Sequence, residues 1–185
     1  MPRSIGPLIL AEAKTHLGKQ ENPLGSNKGA EIVPFKKATW LDPHAAWPWC
    51  QAFANYVWEQ VTGKKHPYPT ASVYQFWTYA GTNQPYFQRF RRGTQGPIKG
   101  DYLIIGDGST FDHISIVDEV KDSYIVGLGG NQGDRVQRSH YHWSRVYGFV
   151  RPLDVGNQLP PRKPKPPVYE VVVGEGEDAK VVATG

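Results

Sequence analysis

The single cysteine of this chain, Cys50, sits in the stretch "WPWCQAFANYVW", directly after Trp47, Pro48 and Trp49. Phe53, Ala54, Val57, Trp58 and Val61 follow it with the recurrence of a helix that buries one face. Pro48 suits a helix start and Gly63 a helix stop. The spacing therefore predicts a helix with Cys50 in its first turn, where unpaired backbone N–H groups favour thiolate over thiol. A thiolate attacks carbonyl carbon, and the same N–H groups can hold the resulting oxyanion. A lone cysteine on an apolar helix is also an ordinary small core residue. The chemical reading therefore depends on partners supplied from elsewhere in the chain.

Such a nucleophile needs an imidazole to take its proton and a polar group to orient the imidazole. Of the six histidines, His16 falls in the first helix, His44 and His66 in loops, and His140 and His142 in a late polar strand. His113 opens "HISIV", a β-branched stretch after the turn "GDGSTFD". Strand alternation puts His113, Ser115 and Val117 on one face and Ile114 and Ile116 on the other. With that sheet packed on the Cys50 helix, a strand-borne histidine faces a helix-borne cysteine on two rigid supports. For the orienting group, "GLGGNQGDRV" offers Asn131 just past the next strand, beside the ring if the strands are antiparallel neighbours. The same Gly-Gly-Asn run suits a plain hairpin turn. Asp112 and Asp118 are the carboxylate alternatives.

The elements that must position these residues change character along the chain. Ser4 can cap a first helix from Pro7 to Leu17, closed by Gly18, and "KQENPLGSNKGAEIVPF" reads as an ordered loop. After the Cys50 helix, Thr70 can cap a third helix in "TASVYQFWTYA", and "FQRFRRGTQGPIKG" reads as a basic solvated turn. From Asp101 onward, "DYLIIG", "DHISIVDEV", "SYIVGLG", "RVQRSHYHW" and "VYGFVRP" read as short strands. Helices first and antiparallel strands second predict an α+β domain over residues 1–152. The proline-rich basic "LPPRKPKPP" makes residues 153–168 a linker, and residues 169–185 a short, disordered tail with one strand at Tyr169 to Val173.

Composition bounds the partners. At 39% hydrophobic and 12% aromatic residues the chain can build a core, and one cysteine excludes an internal disulfide. A net charge of +4 suits an anionic partner. No arginine-rich block or zinc-finger spacing favours nucleic acid, and no apolar run is long enough for a membrane span. Glu12 and Lys14 interrupt the N-terminal apolar residues too early for a signal peptide.

The stretches "PWCQAFANYVW", "GDYLIIGDGSTFDHISIVDEV" and "GGNQGDRVQRSHYHWSRVYGFVRP", in that order, resemble the CHAP family of cysteine amidases and peptidases. "ENPLGSNKGAEI" is similar to the segment before the cysteine in phage and bacterial wall hydrolases of this type, and the resemblance spans residues 5–152. It implies a papain-like fold, with N-terminal helices packed on a C-terminal antiparallel sheet. It further implies that Cys50 is the nucleophile, His113 the base and Asn131 the orienting residue. Trp47, Trp49 and Asn27 of the "GSNKG" loop would then line the substrate groove. Many relatives carry a glutamate two residues before that asparagine, where this chain has Gly129. Calcium-binding phage relatives carry paired aspartates before the cysteine; "LDPHAAWPWC" has Asp42 alone, so neither metal nor cofactor is expected. The implied activity is that of an endolysin-like peptidoglycan hydrolase, an N-acetylmuramoyl-L-alanine amidase. An NlpC-type endopeptidase, or a non-catalytic phage structural or wall-binding module, is the alternative. The resemblance also implies a monomer, made in the host cytoplasm, whose partner is the bacterial cell wall.

Overall fold

In a computed structural model, residues 3–82, 85–154, 156, 168–170 and 182–184 are described. Among them are the helices α1 (Gly6–Lys14), α2 (Val33–Lys36), α3 (Cys50–Thr62) and α4 (Val73–Ala80). The strands are β1 (Phe87–Arg91), β2 (Tyr102–Gly106), β3 (Phe111–Val120), β4 (Tyr124–Gly129), β5 (Gln137–His142), β6 (Val146–Pro152), β7 (Val168–Glu170) and β8 (Val182–Thr184). The first six strands form one sheet in the order β1-β6-β2-β3-β4-β5, with every neighbouring pair antiparallel. The chain is thus α+β, helices first. β7 and β8 pair with each other. The rest of the expected linker and tail lies outside the described residues, apart from Leu153, Asp154 and Gly156.

The cysteine helix forms as its pattern requires. Trp49 is its N-cap, and Gly63 ends it at φ 65°, returning its N–H to the Glu59 carbonyl at 2.9 Å. Its face of Phe53, Ala54, Val57 and Trp58 is buried, and each large apolar side chain so buried contributes about 1.5–3 kcal/mol. That face meets Ile104, Ile114, Ile116 and Leu128 of the sheet in one apolar cluster that α1 and α4 also join. A smaller cluster of Leu103, Ile105, Val117, Ile125, Val146 and Phe149 fills the sheet's other side. β2 is buried along its whole length, so it reads as a continuous apolar run.

Several expectations change. The first helix has Ile5 and not Ser4 at its N-cap, with no side-chain cap, and ends at Lys14, short of Leu17. The end of the expected ordered loop is the short helix α2. α4 is capped by Ser72, whose hydroxyl accepts the Gln75 N–H at 3.3 Å. Thr70 Oγ1 instead donates to Gln75 Oε1 at 2.6 Å and accepts the Ser72 N–H at 3.0 Å. The segment expected as a basic turn begins with strand β1. Its arginines obscure the period because they lie on aromatic faces: Arg89 is 4.8 Å from the Trp77 ring centroid and Arg91 5.9 Å from that of Tyr147.

Charged groups stitch the layers together. Arg151 grips the fully buried Asp101 through two bonds of 2.9 and 3.0 Å, fixing β6 to the entry of β2. Asp118 on β3 takes Lys14 of α1 at 2.7 Å and Arg138 of β5 at 2.6 Å. No helix among the described residues is long and apolar enough to cross a membrane.

Candidate active site

Cys50 is the first residue of α3 and abuts β3 near that strand's start. Its sulfur hydrogen-bonds the His113 ring and receives the backbone N–H groups of Ile114 and Gln51. Burial pushes the thiol up. The His113 hydrogen bond, the imidazolium charge and the two N–H groups outweigh that and bring it below its ordinary value. The imidazole moves the other way. Burial pulls it down, while the hydrogen bond and charge of Cys50, then the bond to Gln132, raise it above its ordinary value. The two shifts describe one tightly coupled pair that favours thiolate–imidazolium.

The side of the strand that carries the ring differs from the simplest expectation. Ile114 and Ile116 pack under α3, while Val117 joins the cluster on the opposite side and His113 stacks on Tyr141, 6.2 Å between ring centroids. The ring meets the thiol because Cys50 sits at the very end of its helix. Burial pushes the Tyr141 phenol up to about 12, so it stands beside the imidazole as a neutral ring.

The group that orients His113 is Gln132. His113 Nε2 lies 3.2 Å from Gln132 Oε1. Gln132 is 5% exposed, and its amide nitrogen donates to the Gln137 carbonyl at 2.8 Å and to Ser139 Oγ at 3.0 Å. A carbonyl can only accept, so the amide nitrogen must face it and the amide oxygen must face the ring. Ser115 Oγ donates to that oxygen at 2.8 Å. Nε2 consequently carries the proton, and Nδ1 is left for the sulfur. The expected alternatives are engaged elsewhere, Asp112 by Arg145 at 2.6 Å and Asp118 by Lys14 and Arg138.

Asn131, expected beside the imidazole, lies on the other side of the turn. It adopts φ 57°, a left-handed conformation that asparagine tolerates. Its carboxamide stands 3.1 Å from the Glu21 carboxylate, 3.2 Å from the Trp49 N–H and 3.2 Å from the Asn27 carboxamide. The carboxylate only accepts and the N–H only donates, so the nitrogen of Asn131 faces Glu21 and its oxygen faces Trp49. Successive residues project to opposite sides, so a single step along "GNQG" exchanges one carboxamide for the other. A Cβ at Gly129 would fall 2.4 Å from Gln132 Oε1. The glutamine therefore fills the space beside the strand end that a side chain at position 129 would need. At Gly130 a Cβ would stand 2.6 Å from Phe53 Cβ, which lets this turn press directly on α3.

The three residues expected to line a groove separate. Trp49 is fully buried, stacks on Phe35 with centroids 5.7 Å apart, and donates its indole N–H to Glu21 at 2.8 Å. It is a core residue and faces no groove. Trp47 is half-buried and held by a 2.7 Å bond from its indole N–H to the Asp42 carbonyl. Asn27 is half-buried at φ 54°, beside Asn131. Among the described residues, no three His, Cys, Asp or Glu side chains converge as a metal site. The space beside the Asp42 loop holds the ammonium of Lys36, bonded to the carbonyls of Asn27 and Ala45.

Gln132, Glu21 and Lys36 are the site residues that sequence reasoning misses. Gln132 carries a faint signal, a second carboxamide beside Asn131 in a turn. Glu21 and Lys36 carry none, because charged residues in a polar stretch look solvated until the fold buries them.

Residues 42–131 match the family model of the CHAP domain. No curated protein matches the chain. A solved structure described as "The crystal structure of Ly7917 with the hydrolyzing product of MDP" is similar at 13% identity and a TM-score of 0.49, over 80% of this chain and 63% of that one. The present chain thus spans less than two thirds of that protein's length.

Proposed function

From a chain whose residues 42–131 match the CHAP-domain model, we propose a peptidoglycan hydrolase of the endolysin type, an N-acetylmuramoyl-L-alanine amidase working through Cys50, His113 and Gln132. The observation that carries the reading is the hydrogen-bonded Cys50–His113 pair, with the thiol lowered and the imidazole raised.

The Cys50 thiolate attacks the lactyl carbonyl carbon, and the carbonyl electron pair moves to oxygen. The N–H groups of Cys50 and Ala52 at the start of α3 have no carbonyl one turn back within the helix and can receive that oxyanion. Collapse of the tetrahedral intermediate breaks the C–N bond, and the His113 Nδ1 proton passes to the departing L-alanine amine. Nδ1 then takes a proton from water, hydroxide attacks the thioester, and Cys50 is released as the thiolate. Throughout, Gln132 Oε1 accepts from Nε2–H and stabilises the imidazolium without adding a charge. Trp47 and Asn27 form part of the cleft wall that meets the substrate. The chain acts as one catalytic domain over residues 1–152, followed by a linker.

Purified cell wall digested by the wild type and by Cys50→Ala tests the reading. Wild type is expected to solubilise the wall and expose new L-alanine amines by mass spectrometry, while Cys50→Ala releases nothing. Equal clearing by both proteins would end the thiol mechanism. A different new amino terminus would make the enzyme an endopeptidase.

A further inference from the structure

The proposed mechanism uses the first turn of α3 and leaves unexplained a charged cluster buried directly behind it. Glu21 is 1% exposed and Lys36 fully buried. One Glu21 oxygen takes the Trp49 indole N–H at 2.8 Å and the Asn131 amide at 3.1 Å; the other takes the Asn27 backbone N–H at 2.6 Å. Lys36 Nζ donates to the carbonyl of the same Asn27 at 2.8 Å and to that of Ala45, and lies 4.4 Å from the Trp47 ring centroid. The Asn27 backbone is thereby gripped on both sides, by the carboxylate at its N–H and the ammonium at its C=O. A surface loop would need neither charge, and burying each one costs several kcal/mol unless the other compensates it.

Two bonds of this cluster end on the residue before the nucleophile. Trp49 is the N-cap of α3, its indole fixed by Glu21 and its backbone N–H by Asn131. The segment carrying Glu21 is itself pinned to the β4–β5 connection, with Glu21 N–H bonded to the Asp134 carbonyl at 2.9 Å and Val136 N–H to that of Lys19 at 2.8 Å. That connection also carries Gln132. One rigid turn therefore sets the imidazole through Gln132 and the helix start through Asn131 and Glu21.

We propose that Glu21 is a positioning residue for Cys50: a buried carboxylate, counter-charged by Lys36, that acts through Trp49 and Asn131 to hold the first turn of α3 against His113. The proposal rests on Cys50 as the nucleophile, yet its main readout needs no substrate. Cys50 is the only thiol in the chain, so its alkylation by iodoacetamide across pH reports the thiolate directly.

Glu21→Gln keeps the shape but turns one oxygen, an acceptor for the Asn27 N–H or for the Trp49 and Asn131 donors, into a donor. Trp49→Phe keeps the ring and removes only the indole donor. Both are expected to slow alkylation near neutral pH about tenfold and to move its midpoint toward the ordinary thiol range. Both should also lower kcat on soluble wall fragments about tenfold to a hundredfold with KM unchanged, the scale expected when a catalytic group is displaced. Glu59→Gln is the control. Glu59 is also buried on α3, but at its far end, where it holds Lys65 at 3.0 Å and the His66 N–H at 2.9 Å. Its loss should lower the melting temperature and leave the alkylation profile unchanged.

If Glu21→Gln does not fold, Trp49→Phe decides alone. A folded variant of either kind with wild-type alkylation and kcat overturns the proposal, and so does a Glu59→Gln shift as large as that of Glu21→Gln. A wild type whose thiol alkylates at low pH while the wall stays intact would instead sink the hydrolase reading and leave the positioning role standing.

Discussion

His113 stands on an inner strand of a six-stranded sheet and is oriented by neutral groups, Gln132, Ser115 and Ser139. Cys50 stands at the end of a helix whose approach is held by a buried carboxylate and a buried ammonium. The neutral arrangement is a saturated network, with Gln132 anchored at both ends of its amide. It asks for little desolvation and loses about 1–3 kcal/mol when one buried partner is left unpaired. The ionic arrangement is less forgiving, since a buried carboxylate or ammonium that loses its hydrogen-bond partners costs more than a neutral amide does. Strand register can hold a side chain with hydrogen bonds alone. The long connections before Cys50 have no ladder, so stronger, charge-assisted contacts hold them.

The most severe break on the sheet side is His113→Ala. It is expected to lower kcat by about three orders of magnitude or more, and Cys50 alkylation should become slow at neutral pH because the chief influence lowering the thiol is gone. Gln132→Ala should cost about a hundredfold in kcat, with KM little changed. Its effect on pH sharpens the comparison. Wild-type activity should rise as Cys50 deprotonates, below the ordinary thiol range, and fall as His113 loses its proton, above the ordinary imidazole range. Gln132 is one of the groups raising His113, so its loss should shift the alkaline limb to lower pH and leave the acid limb nearly in place. A pH–rate profile with both limbs displaced equally would mean that the two sides are not separately built.

A smaller effect is expected from Gly129→Ala, whose Cβ would stand 2.4 Å from Gln132 Oε1. The amide must give way, and kcat should fall about tenfold, as for a slightly misplaced orienting group. Trp47→Ala should do least. It removes a half-buried ring beneath the Lys36 ammonium, which is worth about 0.5–1 kcal/mol of stability, and it should raise KM several-fold with kcat near wild type.

Much of this frame is legible in the residues. Phe53, Val57 and Trp58 announce α3, and the strands β2 to β6 follow from their β-branched runs and turn residues. β1 escapes because Arg89 and Arg91 lie on aromatic rings and look solvated in a string of letters. Asn131 was the expected orienting residue and Gln132 is the one on the ring. Periodicity cannot resolve that choice, because a left-handed residue in the turn decides which neighbour points to the sheet. Trp49 reads as a groove residue by its position beside Cys50, yet its indole is the acceptor-seeking end of a buried cluster.

By itself the sequence determined the place of Cys50 at a helix start, the strand that carries His113 and the order of helices before sheet. These depend on local periodicity and on which residue types can do the chemistry. Only the tertiary structure decided that Gln132 orients the imidazole and that Glu21 and Lys36 lie buried behind the thiol. A hydrogen-bond partner and a desolvated charge are properties of three-dimensional neighbours, and no spacing along a chain encodes which loop will close over them.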